Sequence, residues 1–127
     1  MAIYTNLPIY QSAYSLLKAF VRIMPDMPRD CRYSLGQDTR KRIMDIILLV
    51  YKANRTRRKN EAIAGMREAL VEIQVSLRIM CDLRYMSEGC YVSLAEYTVS
   101  MSKQLAAWEK NENRKNNDGT QGSESDA

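Results

Sequence analysis

The chain has 127 residues, of which 46% are hydrophobic and 27% charged, and its formal net charge at pH 7 is +4. This length predicts one domain, or one subunit that shares its core with copies of itself, and the apolar fraction is too high for a wholly disordered chain. Because the sequence has no histidine, every catalytic or metal site that needs an imidazole is excluded. The three cysteines include no CxxC pair, so we expect no zinc site, no disulfide scaffold and no cofactor.

The sequence contains no candidate membrane span. Its longest unbroken apolar run is Ile46 to Tyr51, whereas a spanning helix needs roughly 20 residues. The N-terminus has no basic flank before an apolar stretch, so a signal peptide is not expected. We therefore predict a cytoplasmic protein with no membrane partner.

The first predicted helix begins at Pro8 and ends at the corner Pro25-Asp26-Met27-Pro28. Proline is favoured in a first helical turn, and two closely spaced prolines prevent a helix from continuing. Between these points apolar residues recur at spacings of three and four, which is the pattern of one helix face. The predicted core positions of this helix are Tyr10, Ala13, Leu17, Phe20 and Met24.

Three more helices are predicted after the corner. The second begins at Ser34, which has capping-box spacing to Gln37, and continues through an apolar stretch. The third runs from about Asn60 to Met86, and Ser87 is the candidate N-cap of the fourth. The predicted core stripe of the third helix is Ala62, Met66, Ala69, Leu70, Ile73, Leu77 and Met80, and that of the fourth is Tyr91, Leu94, Thr98, Met101, Leu105 and Trp108.

Four amphipathic helices with short connections predict an all-α fold, an antiparallel up-down four-helix bundle over residues 1–112. Residues 113–127 contain no large apolar side chain, and we predict that they form a disordered tail. One bundle does not cover all of the apolar surface, because Val71 and Val75 lie on the side of the third helix away from its core stripe. Such a surplus favours a homo-oligomer.

Basic residues are clustered in a way that is typical of a phosphate-binding surface. Two of the clusters lie at the start of the second helix and in the loop after it. The third is a stripe of positions 67, 74 and 78 on the third helix. These positions share one face because the 11 residues from 67 to 78 are close to three helical turns. The candidate nucleic-acid or polymerase-binding residues are Arg40, Lys41, Arg55, Arg57, Arg58, Lys59, Arg67 and Arg78.

The other interpretations of these residues stay open. The loop cations could serve solubility alone, and the helix arginines could pair with an acid of a neighbouring subunit. Tyrosine is abundant, so base stacking is conceivable, although most tyrosines are expected to pack in or beside the core. No catalytic arrangement appears, since there is no phosphate-cradling glycine loop, no GKS/T and no ExxH. We predict a binding protein and not an enzyme.

Three stretches resemble one small four-helix-bundle family. Met24-Pro25 followed by PRDCRYSLGQ (28–37) resembles its "P-x-x-x-R-Y-x-L-G-Q" corner. Leu77-Arg78-Ile79, with Asp82-Leu83 through Ser87, resembles the end of its third helix, and QLAAWEK (104–110) resembles its closing "L-G-G-W-x-K" with alanines in place of the glycines. The family contains the accessory variability determinant (Avd) proteins of diversity-generating retroelements and the proteins encoded in large-subunit rRNA intervening sequences.

The stretch DIILLVYKAN (45–54) is closer to the Avd branch than to the "S-I-x-x-N-I-A-E-G" of the rRNA-associated branch. The Avd resemblance implies a homopentameric barrel of bundles that binds the retroelement reverse transcriptase and its template-repeat RNA. Such a protein supports mutagenic cDNA synthesis and catalyses nothing itself. Arg78 matches the motif arginine of the third helix. The alternatives are an rRNA-associated bundle and a structural self-assembling bundle with no nucleic-acid role.

Overall fold

The structure, a computed structural model, describes the backbone of residues 3–122 and the side chains of residues 3–117. A short 3-10 helix, Tyr4–Asn6, precedes the first long helix. No strand occurs in the described range, so the predicted all-α class is confirmed. The four long helices are α1 (Pro8–Ile23), α2 (Gln37–Asn54), α3 (Asn60–Asp82) and α4 (Glu88–Gly122).

Each long helix packs against two others, so that α1, α2, α3 and α4 enclose one core. Consecutive helices run in opposite directions. One end of the bundle therefore holds residues 24–36 and the α3–α4 turn, and we call it the corner end. The opposite end holds the α2–α3 loop and the last described turns of α4, and we call it the loop end. The side-chain pairs that show the pairing of neighbouring helices are Arg42–Glu72, Arg67–Glu109 and Ser12–Gln104.

The core is built from one apolar stripe of each helix. In α3 the predicted stripe is buried except for Ala69, which is half-buried. In α1 the buried face differs from the prediction, because Ile9 and Leu16 are buried while Tyr10 and Leu17 are only partly covered. The other buried core residues of α1, α2 and α4 are Ala13, Phe20, Ile43, Ile46, Val50, Ala53, Leu94, Met101 and Leu105.

The helical segment before α2 begins earlier than predicted. Its backbone is already helical at Arg29–Cys31 and passes through a π-helical turn, Arg32–Gly36, into α2. Ser34 is therefore not an N-cap, and its hydroxyl donates to the carbonyl oxygen of Asp30 at 2.6 Å. A serine inside a helix can satisfy its hydroxyl in this way, so capping-box spacing alone did not locate the start. The helix starts after Pro28, whose backbone is extended (ψ 146°).

The third helix ends at Asp82, four residues before the predicted end at Met86. The N–H of Tyr85 donates to the carbonyl of Met80 at 2.8 Å, which closes a Schellman-type turn. Arg84, with φ at 63°, occupies the left-handed position of this turn. This position is usually a glycine, and the absence of glycine from the segment made the end difficult to predict.

The fourth helix begins as predicted but continues further. Ser87 is its N-cap, because its hydroxyl accepts a hydrogen bond from the N–H of Cys90 at 3.1 Å. The helix continues to Gly122, so residue 113 is not its end. Neither glycine nor proline occurs between residues 113 and 118, so nothing local stops it even though residues 113–117 are exposed. The predicted disorder of residues 123–127 falls outside the described residues.

Within residues 3–122, no helix combines the length and the apolar character needed to cross a membrane.

Two buried threonines differ in their hydrogen bonding and give a matched test of the core. Thr98 is 2% exposed, and its hydroxyl donates to the Ala95 carbonyl at 2.7 Å, whereas Thr39 is 0% exposed and its hydroxyl has no partner within the described residues. Thr39→Val should raise the free energy of unfolding by about 1 kcal/mol, while Thr98→Val should lower it by a similar amount. Urea denaturation measures both. A destabilised Thr39→Val would mean that the Thr39 hydroxyl is hydrogen-bonded in the folded protein.

Candidate nucleic-acid interface

The basic loop predicted between the second and third helices is present, at residues 55–59. One of its four cations has a structural role. The Nζ atom of Lys59 donates to the carbonyl oxygens of Ala53 at 2.6 Å and Thr56 at 2.8 Å. Ala53 lies in the last turn of α2 and Thr56 lies in the loop, so these bonds hold the Lys59 side chain and the loop against the C-terminus of α2. Lys59 therefore has a structural role in shaping the loop.

Arg55 is supported by an aromatic cluster at the loop end. Its Nη1 donates to the Tyr51 hydroxyl at 2.7 Å, and its guanidinium lies 5.5 Å from the centroid of that ring. Tyr51 meets the Tyr4 ring edge-on, with centroids 5.2 Å apart. Arg55 stays exposed, as do Arg57 and Arg58 beside it, so three guanidinium side chains of the loop can be reached from solvent.

The fourth helix brings three more cations to the same end: Lys110, Arg114 and Lys115. Arg67 on α3 pairs with Glu109 on α4, and the two helices are antiparallel. Seven residues back along α3 from Arg67 is Asn60, at the start of that helix, and seven residues forward along α4 from Glu109 is position 116. Asn60 and position 116 therefore lie at the same level. We call the basic end the set of Arg55, Arg57, Arg58, Lys59, Lys110, Arg114 and Lys115.

Cations outnumber carboxylates at the basic end. Among the described side chains there, the carboxylates are Glu61, Glu109 and Glu112, and Glu109 is paired with Arg67. Glu112 is nearly buried, and its carboxylate lies 3.8 Å from the Lys115 ammonium. Arg114 and Lys115 were not among the predicted site residues, because they fall in the predicted tail. The absence of glycine and proline from residues 113–118 was the signal that could have extended the predicted fourth helix to these two residues.

Arg40 and Lys41 lie apart from the basic end. Both are exposed on the first turns of α2, and neither forms an ion pair with a described residue, whereas Arg42 beside them pairs with Glu72 at 2.6 Å. Lys41 and Arg55 are 14 positions apart, which is about 21 Å along a helix axis. The candidate residues therefore do not form one continuous patch.

The arginine stripe of the third helix faces α4 of the same chain. Arg67 Nη1 lies 3.0 Å from the Glu109 carboxylate, and Gln74 donates to the Thr98 hydroxyl at 3.4 Å. The acid partner of Arg67 is thus intramolecular, although a neighbouring subunit was one of the open alternatives. Both members of the Arg67 pair are about 40% exposed, so the bridge contributes little to stability.

Arg78, the residue that matches the family motif, lies at the corner end. Its Nε is 3.2 Å from Asp82 Oδ1, and its guanidinium is 5.8 Å from the centroid of the Tyr91 ring. The Tyr91 side chain, and then the Asp82 carboxylate, raise the pKa of Arg78 above its ordinary value. Arg78 is exposed and remains charged at every physiological pH, so it can still meet an anionic partner.

The cysteines have the environment of ordinary packed thiols. Cys31 is buried, and burial raises its pKa. Cys81 and Cys90 line an open cavity of about 820 Å³ at the corner end. Burial is the main cause that raises the pKa of Cys90, and the charge of Cys81 is the second. Raised pKa values disfavour the nucleophilic thiolate. The described part of the chain contains no group of three or more acidic, cysteine or histidine side chains arranged to hold a metal ion.

Compared with known proteins, the chain matches no family model and no curated protein.

The structural role of Lys59 can be tested against a matched lysine. Lys59→Met should lower the free energy of unfolding by about 1 kcal/mol, because the carbonyls of Ala53 and Thr56 lose a charged donor. Lys52→Met is the control, since Lys52 is an exposed lysine of α2 with no hydrogen bond or ion pair to a described residue. Chemical denaturation compares the two. Equal stabilities would show that the Lys59 hydrogen bonds contribute nothing.

Proposed function

We propose that this chain is a non-catalytic accessory protein that binds RNA through its basic end and acts in the cytoplasm. The observation that carries the proposal is the convergence of seven cations from the α2–α3 loop and from α4 on one end of the bundle. A phosphate backbone binds such a surface by releasing its counterions, without any requirement for base sequence.

The resemblance to the Avd branch makes the proposal more specific. The RNA is the template-repeat RNA of a diversity-generating retroelement, and the protein partner is the reverse transcriptase of that element. The stretch QLAAWEK (104–110) leads along α4 into the basic end, whereas PRDCRYSLGQ (28–37) and the end of α3 lie at the corner end. By the same resemblance, Arg78 engages the polymerase or the RNA from the corner end.

The exposed valines support self-association as part of this function. Val71 and Val75 on α3 are 57% and 53% exposed, as their position opposite the core stripe predicted. Val99 on α4 is also exposed and lies close to the level of Val75, since the Gln74–Thr98 and Arg67–Glu109 pairs place Val75 between the levels of positions 97 and 101. Contact between copies would remove these side chains from water. The resemblance implies five copies, and in a cyclic assembly every basic end has the same height along the symmetry axis.

The partners are tested by a tagged pull-down from the native host, with and without ribonuclease, followed by mass spectrometry and RNA sequencing. A reverse transcriptase together with one abundant non-ribosomal RNA is the expected result. Retention of the polymerase after ribonuclease would show a direct protein contact. Ribosomal components would instead favour the rRNA-associated alternative, and recovery of the chain alone would favour a structural bundle.

The basic end gives a prediction with a charge-matched control. Arg57→Glu with Arg58→Glu should weaken single-stranded RNA binding at least about tenfold and should reduce the slope of log K against log salt by at least about one. Lys18→Glu with Lys103→Glu lowers the net charge equally but lies midway along α1 and α4. Fluorescence anisotropy at several salt concentrations compares them. Equal losses in both variants would mean that net charge, and not the basic end, governs binding.

The apolar α3 face gives a prediction about assembly. Val75→Glu should convert the oligomer to monomers, because a buried unpaired carboxylate is costly at an interface between copies. Val21→Glu introduces the same side chain at an exposed position of α1, a helix that packs on α2 and α4. It should leave the assembly intact. Sedimentation velocity measures both variants, and an unchanged sedimentation coefficient for Val75→Glu would remove this face from the interface.

A further inference from the structure

An exposed tyrosine lies beside two arginines at the corner end. Tyr33 is 61% exposed and lies in the π-helical turn Arg32–Gly36. The guanidinium carbons of Arg29 and Arg32 are 5.8 and 5.6 Å from the centroid of its ring. Both guanidinium groups are within the roughly 6 Å at which a cation interacts with an aromatic ring. The exposed fraction shows that the ring nevertheless stays accessible to solvent.

The corner holds this ring outward on a fixed base. Cys31 and Met27 are buried, with their sulfur atoms 3.9 Å apart, and they anchor the turn to the core. A Cβ atom on Gly36 would lie 3.1 Å from the carbonyl oxygen of Cys31, so the turn packs closely against its own backbone. π-Helical turns of this kind are frequent at functional sites, since they redirect side chains that a regular helix would place elsewhere.

The surroundings of Tyr33 differ from those of the other tyrosines beside cations. Tyr14 has the Lys18 ammonium 4.7 Å from its ring centroid, but it also stacks on Tyr10 at 5.8 Å with an interplanar angle of 12°. Arg55 is hydrogen-bonded to the hydroxyl of Tyr51. Within the described residues, Tyr33 has no aromatic neighbour.

Among the described residues, Arg29 and Arg32 also have no acidic partner. Neither Arg29 nor Arg32 forms an ion pair with a described residue, whereas Arg78 beside Tyr91 is paired with Asp82. The Nε atom of Arg32 is buried and has no acceptor in the described part of the chain. A buried donor without an acceptor is unfavourable, and a bound anion that reorients the guanidinium would relieve this.

From this arrangement we infer that the corner is a stacking site for one unpaired RNA base. The base lies on the Tyr33 ring, and Arg29 and Arg32 contact the phosphates on either side of it. This inference rests on the proposed RNA-binding function and adds a second contact, at the end of the bundle opposite the basic end. The site takes single-stranded RNA and tolerates any base, because every base presents a π face and a duplex withholds its bases.

The two ends should respond differently to salt. The corner also contains carboxylates, Asp26 and Asp30, so its net charge is small, and stacking provides most of its binding energy. Loss of the ring should therefore weaken binding by the same factor at every salt concentration. Loss of charge at the basic end changes the slope of the salt dependence instead.

The test measures binding of a fluorescein-labelled oligouridylate by anisotropy between 50 and 300 mM salt. Tyr33→Ala should weaken binding about 5- to 150-fold with an unchanged salt slope, which is the range for loss of one stacked base. Tyr33→Phe keeps the ring and should bind like the wild type, as should the matched control Tyr14→Ala. A duplex RNA probe should not distinguish Tyr33→Ala from the wild type. A bromouridine-substituted probe should photocrosslink to the peptide YSLGQDTR, which begins at Tyr33.

The contrary outcomes separate the two proposals. If Tyr33→Ala binds like the wild type while Arg57→Glu with Arg58→Glu loses affinity, the stacking site is wrong and the RNA-binding function stands. If the wild-type chain binds no RNA at 150 mM salt, the proposed function fails and the site fails with it. If Tyr33→Ala keeps its RNA affinity but changes the sedimentation coefficient, the ring belongs to a contact between copies, and the stacking site is overturned.

Discussion

The close antiparallel packing of α3 on its two neighbours is the constraint on which the other features depend. Gly65 allows α3 to approach α2, because a Cβ atom there would lie 3.3 Å from a methyl carbon of Leu49. On the other side, the Arg67–Glu109 pair marks the register of α3 and α4, which the packing of their apolar stripes sets. This register brings the start of α3 and the late turns of α4 to one end. The basic end is thus a result of helix packing and not of the loop sequence alone.

Core stripes and helix caps were predictable from the sequence, whereas one helix start and the partners of individual side chains were less predictable. The core stripe of α3 and the Ser87 cap followed from spacing and side-chain chemistry. The start before α2 was missed because a serine hydroxyl can bond either to a following N–H or to a preceding carbonyl, and spacing does not distinguish the two. In the candidate site, the clustering of loop cations was visible, but the partners of Lys59 and Arg67 were not, since they are set by packing between helices.

The tyrosines show how one residue type serves different roles in a small bundle. Tyr4, Tyr10 and Tyr51 form edge-to-face contacts that close the loop end. Tyr91 lies under a paired arginine, and Tyr33 projects from the corner beside two arginines that have no acidic partner among the described residues. Composition alone describes these residues as equivalent. Their contacts separate them, and Tyr33, in the π-helical turn, is more exposed than Tyr14 or Tyr51.

The short connections between helices also bear on how the proposed assembly would form. Residues 55–59 and 83–87 join helices that are immediate neighbours, so most of the packing is between segments close in sequence. Chains with such local topology fold in microseconds to milliseconds, whereas subunit association is slower and depends on concentration. In the proposed assembly, each subunit would thus complete its bundle before meeting another copy, and the cellular abundance of the protein, more than its folding rate, would determine when the assembly appears.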